Sequence, residues 1–296
     1  MSKWKTDWHL HTTHSDGILT VEELIREAQD AQLTHLAITD HDSLANWAKM
    51  DQLNRAPSIF TIPSVEFGVE VPHSSWRDEE VHVLGYGLNP DNEELHEYLK
   101  KLQDTRKSRF IDLLERAEEV GYSFSKESIE LIRQEDSPGR LHLARLLVLE
   151  GYFTSIYQVF EDFLGVGKPG YIKKFRYDLP DMSRLIHQCG GIAILAHPFQ
   201  IKSELLRKYL IGSEWIDGFE AFHPSHGVVE AHYLLEESKR RKKYASGGSD
   251  FHGPGKGLLE KVGDFIPPSD KIVPFIEWTM KCPYGKYVGS DGSGMK

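Results

Sequence analysis

The chain has 296 residues, 40% of them hydrophobic and 27% charged, and a net charge of −10. That length holds one large α/β domain or a domain with an insertion. The acidic balance argues against broad nucleic-acid binding through a basic surface and leaves only a local basic cleft open.

The first element ends in DWHLHTTHSDG, Asp7 to Gly17, which packs three histidines and two aspartates into eleven residues. Thr20 and Glu23 then form a capping-box pattern that predicts a helix through about Gln32. HLAIT, His35 to Thr39, reads as a buried strand ending at Asp40, His41 and Asp42, with a helix from about Ser43 to Leu53 behind it. SIFTIP (Ser58 to Pro63) and EVHVLGY (Glu80 to Tyr86) are the next strands, and the alternation predicts a largely parallel sheet. From Asp91 to Leu164 only helical patterns appear, with 3.6-residue spacing from Lys100 to Val120 and again in LHLARLL, Leu141 to Leu147. Strand–helix alternation resumes with GIAILAHP (Gly191 to Pro198) and WIDGFEA (Trp215 to Ala221), and closes with YASGGSDFH (Tyr244 to His252). The expected layout is a first domain part at 1–90, a helical insertion at 91–178, a second part at 179–280 and a flexible tail at 281–296. Neither an apolar run of signal length in MSKWKTDW nor a stretch near eighteen apolar residues occurs, so a membrane association is not expected. Cys189 and Cys282 are too few for a disulfide framework, and a reducing, cytoplasmic setting is expected.

Polar residues of ligand type stand at one predicted strand end after another: His9, His11 and Asp16; Asp40 and His41; Glu66; His82; His197; Asp250 and His252. In parallel α/β architectures the loops after the strands converge on one face, and His9 and His11, two apart on a strand, point the same way. A lone histidine after a strand is ordinarily a hydrogen-bonded residue, Asp40 and Asp42 suit helix caps, and Asp16 before Gly17 suits a turn. Their recurrence in order is what points to metal. Mixed imidazole and carboxylate donors suit zinc, manganese or iron rather than calcium, and their number suits two or three ions sharing carboxylates.

DWHLHTTHSDG, AITDHD, Glu66 after IPSV, VHVLGY, LAHP and GSDFH together resemble the successive motifs of the PHP (polymerase and histidinol phosphatase) domain, over about Thr6 to Pro268. Within the insertion, SPGRLHLARLL (Ser137 to Leu147) and FLGVGKPGYI (Phe163 to Ile172) resemble the lid of stand-alone members. Those members include nucleoside 3′,5′-bisphosphate phosphatases and 5′-to-3′ exoribonucleases of the RNase AM type. The resemblance implies a distorted (β/α)7 barrel, an α/β fold, with the helical insertion as a lid over its C-terminal face. It also implies a trinuclear centre held by His9, His11, Asp16, His41, Glu66, His82, His197, Asp250 and His252, with manganese favoured over iron or zinc. Asp40 is expected in the catalytic set as an outer residue that orients an imidazole, and no metal contact is expected of His14.

The implied activity is phosphate-ester hydrolysis by a metal-activated hydroxide, which needs positioning and charge neutralisation rather than covalent catalysis. Arg140 is expected in catalysis and phosphate binding, with His142 and Lys168 as further phosphate contacts. Arg145 reads equally as a solvated helix residue. His226 matches the Pro-Ser-His element of the family and is expected to bind phosphate or protonate the leaving oxygen, whereas a structural place is expected for His223. The expected substrate is a 3′,5′-bisphosphonucleotide or a short RNA with a 5′ phosphate, and no obligate protein partner is evident. Alternatives are a histidinol-phosphate phosphatase or other small-molecule phosphatase, an amide hydrolase, and a non-enzymatic metal or phosphate sensor. KRRKK, Lys239 to Lys243, reads as a solvated helix end that, beside a cleft, would guide a longer RNA.

Overall fold

The computed structural model describes residues 4–53, 59–72, 76, 79–133, 138–255 and 259–289. Ser58 and Ser137, which open two of the segments named above, lie outside these. In chain order the elements begin with β1 (Thr6–Leu10), α1 (Val21–Asp30), β2 (His35–Ile38), α2 (Ala45–Gln52), β3 (Ile59–Thr61), β4 (Ser64–Glu70) and β5 (Val81–Tyr86). Four helices follow: α3 (Glu93–Glu119), α4 (Lys126–Arg133), α5 (Arg140–Leu149) and α6 (Ile156–Val159), the last continued by a π-helical turn. The chain then forms β6 (Tyr177–Asp178), α7 (Leu179–Gln188), β7 (Ile192–Leu195), α8 (Glu204–Gly212), β8 (Gly218–Phe222), α9 (Val228–Arg241), β9 (Tyr244–Gly247), α10 (Val273–Thr279) and β10 (Lys286–Val288). Two compact units result, one of Met1–His96 with Tyr177–Lys296 and one of Glu97–Arg176.

The first unit is α/β with two mixed sheets, ordered β1-β2-β3-β10 and β6-β4-β5-β7-β8-β9. Isolated bridges link Leu10 to Phe251 and His41 to Glu66, so each sheet meets the other next to metal-ligand candidates. The largely parallel sheet expected from the alternation is corrected here, because β5 runs antiparallel to both β4 and β7. A parallel return needs a crossover of about a dozen residues or more, usually a helix, and among the described residues no α-helix lies between β4 and β5. The tail expected from 281 is also corrected in part. Lys286–Val288 pairs antiparallel with β3, and the Val288 side chain is buried, whereas residues 290–296 lie outside the described ones.

Local chemistry accounts for the elements that carry the site. Helix α1 starts where Thr20 and Glu23 cap each other reciprocally, and it buries Val21, Leu24, Ile25 and Ala28, one helical face. Beneath the strands, Trp8, Tyr86 and Phe275 meet edge to face, and the Tyr86 hydroxyl donates to the Trp8 carbonyl at 2.6 Å. The second unit is helical around an apolar core that includes Phe110, Leu113, Leu143, Leu147 and Phe163. Among the described residues no helix is long and apolar enough to cross a membrane.

Candidate metal centre

β1 delivers His9 and, one residue past its end, His11; their Nε2 atoms lie 3.1 Å apart. Gly248 makes room for this, since a Cβ there would sit 2.3 Å from the His9 Cβ. Glu66 on β4 is the common neighbour. Its Oε2 lies 3.3, 3.2 and 3.1 Å from His9 Nε2, His11 Nε2 and His41 Nδ1, and its Oε1 lies 2.9 and 3.1 Å from His82 Nδ1 and His197 Nε2. Asp250 Oδ1 is 3.2 Å from both His9 Nε2 and His11 Nε2, and Asp16 Oδ1 is 3.2 Å from His252 Nε2. All nine sequence-expected ligands are thus brought together. Their donor atoms form three groups, each within 4.8 Å: His9, His11, Glu66, Asp250; His11, Asp16, His41, His252; and His41, Glu66, His82. His197 joins through Glu66, and His14 belongs to none of the groups.

Two of the candidate ligands have left-handed backbones, His197 at φ 26° and Asp250 at φ 52°. Such conformations collect where surrounding contacts over-determine them, as at functional sites.

Burial would raise the Glu66 carboxyl, but His41, His9 and His82 outweigh it and hold it well below the usual carboxylate range. Asp250 and Asp16 are held low in the same manner, against burial, by His9 and His252 and by His252 and His41. Burial pulls the His41 imidazole down to about 3 despite Glu66 and Asp16. His252 goes the other way, to about 10, because Asp16 and Asp250 overcome its burial. The donor set fits divalent cations on one structural ground. Glu66 Oε2, His41 Nδ1, His82 Nδ1 and Asp16 Oδ1 are buried without an aligned hydrogen bond although they converge on one another, and a cation supplies what such groups lack. Nitrogen and oxygen donors without thiolate suit manganese, iron or zinc. His9, His11 and Glu66 form a floor at 0–1% side-chain exposure, and Asp16, His82, Asp250 and His252 a rim at 18–22%.

The remaining sequence expectations fare differently. Asp40 touches no imidazole. Its Oδ1 accepts from Thr12 N and Ser15 Oγ, both at 2.7 Å, and its Oδ2 from Thr12 Oγ1 at 2.6 Å and Asn46 Nδ2 at 2.8 Å. It anchors the loop after β1, reaching His11 only through Ser15, whose Oγ lies 3.4 Å from His11 Nδ1. His226, expected on the substrate phosphate, has Nδ1 donating to the Ala221 carbonyl at 3.3 Å and Nε2 accepting from Phe199 N at 3.4 Å. His223, expected to be structural, instead places Nε2 3.3 Å from Asp250 Oδ2. Sequence reasoning missed Glu220, buried on β8, whose Oε1 lies 3.0 Å from His9 Nδ1. The available signal was a carboxylate inside the otherwise apolar run GFEAF.

Arg140, His142 and Lys168 lie in the helical unit. There the Arg140 guanidinium stands 5.6 Å over the Phe160 ring, and His142 Nδ1 accepts from Gly139 N at 3.2 Å, capping its own helix. KRRKK ends α9 with its first cations neutralised: Lys239 pairs with Glu236, and Arg240 and Arg241 both pair with Glu237. Lys243 donates to the Ser213 carbonyl. That is a helix end with dipole-favoured cations, and its first three share two carboxylates, Glu236 and Glu237.

Comparison with known proteins follows the same lines. The PHP domain model matches residues 7–196. A 3′,5′-nucleoside bisphosphate phosphatase of Chromobacterium violaceum is 32% identical over 85% of this chain and 88% of its own length. A 5′-3′ exoribonuclease of Escherichia coli is 30% identical over 84% and 85%. A solved Chromobacterium violaceum structure, described as an amidohydrolase with bound sulfate and no metal, superposes with a TM-score of 0.76 at 30% identity, covering 89% of this chain and 92% of that one. With its motif residues gathered around Glu66 and more than half its length matched, the chain belongs to the PHP domain family.

Proposed function

We propose that this protein hydrolyses phosphate esters of nucleotides, releasing phosphate from 3′,5′-bisphosphonucleotides or nucleotides from short 5′-phosphorylated RNA, at a centre of three divalent ions. The observation that carries this reading is the convergence of six imidazoles and three carboxylates on one another around Glu66. Relatives named for a bisphosphonucleotide and for RNA support the substrate class, and the paired charges at the end of α9 favour small substrates over long RNA. The protein is a hydrolase of phosphate esters, the activity named in those relatives.

His9, His11, Glu66 and Asp250 would hold one ion, His11, Asp16, His41 and His252 a second, and His41, Glu66, His82 and His197 a third. Manganese is favoured, with iron or zinc the alternatives. Bound there, divalent ions supply Lewis acidity that activates water near neutral pH and offsets phosphoryl charge. The chain's own residues provide the rest. The floor residues keep solvent from the inner donors, while the rim of Asp16, His82, Asp250 and His252 is where a phosphate reaches the centre. Glu66 ties the donor groups together, so their spacing is set by one side chain. The bridges at Leu10–Phe251 and His41–Glu66 support reading the two sheets as parts of one distorted seven-stranded barrel. Arg140, with His142 and Lys168, is proposed to contact substrate phosphate on the strength of its motif. Arg140→Ala is then expected to raise KM about tenfold, the size of one charge-assisted contact, with kcat little changed.

The test is phosphate or nucleotide release from a 3′,5′-bisphosphonucleotide, 5′-phosphorylated oligoribonucleotides of increasing length, histidinol phosphate and an acetylated amide. Each is assayed after chelation and again after adding back manganese, iron or zinc. The expected result is turnover of the nucleotide substrates, lost on chelation and restored by manganese. Turnover of histidinol phosphate or the amide alone, or nucleotide turnover indifferent to chelation, overturns it.

A further inference from the structure

Strand β8 supplies none of the nine ligands, yet Glu220 on it touches two of them. Oε1 lies 3.0 Å from His9 Nδ1, and Oε2 accepts from the His197 main-chain N–H at 2.8 Å. Its side chain is fully buried. Both oxygens are therefore committed, one to a ring and one to a backbone.

Each contact fixes something the centre needs. An imidazole can present either nitrogen to a cation, and the partner of the other nitrogen decides which. With Nδ1–H held by Glu220, His9 can offer only Nε2, the atom that stands 3.1 to 3.3 Å from His11, Glu66 and Asp250. The second contact acts on a strained residue. His197 precedes Pro198, a setting that favours extended backbone, yet it adopts φ 26°, ψ 61°. The bond from its N–H to Glu220 holds that left-handed turn, which aims Nε2 at Glu66. The register of β8 against β9 shifts immediately after Glu220, and pairing resumes at Phe222 with Gly247.

We infer that Glu220 is the positioning residue of the centre: a two-acceptor clamp that sets the metal-facing nitrogen of His9, and so governs the ion held by His9, His11, Glu66 and Asp250, while also holding the backbone of His197 beside Glu66. This rests on the metal-centre reading above. It goes beyond that reading in stating that occupancy of one position depends on a residue that binds no ion. A glutamine in place of Glu220 has one acceptor oxygen and an NH2 group that only donates, so its two ends cannot both accept from the His9 and His197 N–H groups. The group His11, Asp16, His41 and His252 contains neither His9 nor His197 and is independent of the clamp.

The experiment compares wild type, Glu220→Gln and, as a control for loss of a buried hydrogen bond, Ser183→Ala, whose hydroxyl donates to the Trp215 carbonyl far along the chain from the ligands. Manganese and zinc per chain are counted by elemental analysis, and affinities are measured by competition with a chromophoric chelator. Glu220→Gln is expected to hold one ion per chain fewer, or to bind one ion about 10- to 100-fold more weakly, and to exchange the His197 amide faster. Ser183→Ala should match wild type in all three. Unchanged stoichiometry and affinity with a protected His197 amide in Glu220→Gln overturns the inference. Because that variant carries a risk of misfolding, the zinc-loaded wild type gives a second measurement by nitrogen-15 NMR of His9. A protonated Nδ1 with Nε2 on the metal is expected, and the reverse arrangement overturns the inference. None of these readouts uses a substrate, so they stand apart from the outcome of the turnover panel.

Discussion

Both compact units bury apolar side chains, but the α/β unit also buries a cluster of charge. In the α/β unit the space beyond the strand ends is filled by carboxylates and imidazoles, Glu66, Asp250, His9 and His11 among them, whereas the helical unit closes over Phe110, Leu143 and Phe163. An apolar core is favourable by itself, at roughly 25 cal/mol per Å² removed from water. A buried cluster of charges is favourable only when every member is compensated. The comparison teaches that the first unit's polar interior is organised for a cation and the second unit's interior is self-sufficient.

Four experiments bear on that contrast. The largest effect belongs to the ligands: Asp250→Asn, which tolerates the left-handed backbone at that position, and His41→Ala should each leave below about 1% of wild-type turnover, since even outer partners of ligands cost about 10- to 100-fold. Steady-state phosphate release on folded variants measures this, and full activity in either removes that residue from the ligand set. Next, Leu143→Ala should destabilise the helical unit by about 3 kcal/mol through an unfilled cavity while ions per chain stay constant. Denaturation followed by hydrogen exchange in 97–176, with elemental analysis, separates the two. Third, chelation should cost the α/β unit about 2.7 kcal/mol relative to metal at a hundred times its Kd, and leave exchange in the helical core unchanged. An equal loss in both units would break the contrast.

The smallest effect concerns a histidine away from the ligands. His35 on β2 is buried against Trp8 and Phe60, and that burial lowers it from 6.5 to about 4. The unfolded chain then takes up a proton below pH 6.5 that the folded chain refuses until about pH 4, so stability is complete above 6.5 and declines as pH falls towards 4. His35→Phe should remove roughly 2 kcal/mol of that acid sensitivity. The difference between the two proteins' melting temperatures at pH 7 and pH 5 reads it, and parallel curves would contradict it.

The nine candidate ligands could be picked out because each stands in or beside a strand within a short motif, and folding brings those motifs together. What three dimensions alone decide was not legible. Whether β5 returns parallel or antiparallel depends on the link before it, which carries no hydrophobic period. Asp40 looked like an orienting carboxylate, but its oxygens are taken by Thr12, Ser15 and Asn46, partners assembled by folding. His223 and His226 lie three apart on one turn. The turn's backbone, not their residue type, sends the first to Asp250 and the second to Ala221. Glu220 was hidden because a single acid in a strand reads like a solvent-facing position.

The bridge from Leu10 to Phe251 has a bearing on biosynthesis. His9 and His11 are made long before Asp250 and His252, so a nascent chain presents only a fragment of the candidate ligand set until the later pair has been added. A chain truncated before residue 250 therefore lacks two of the nine candidate ligands, and full loading of the centre is expected only once that segment has been made.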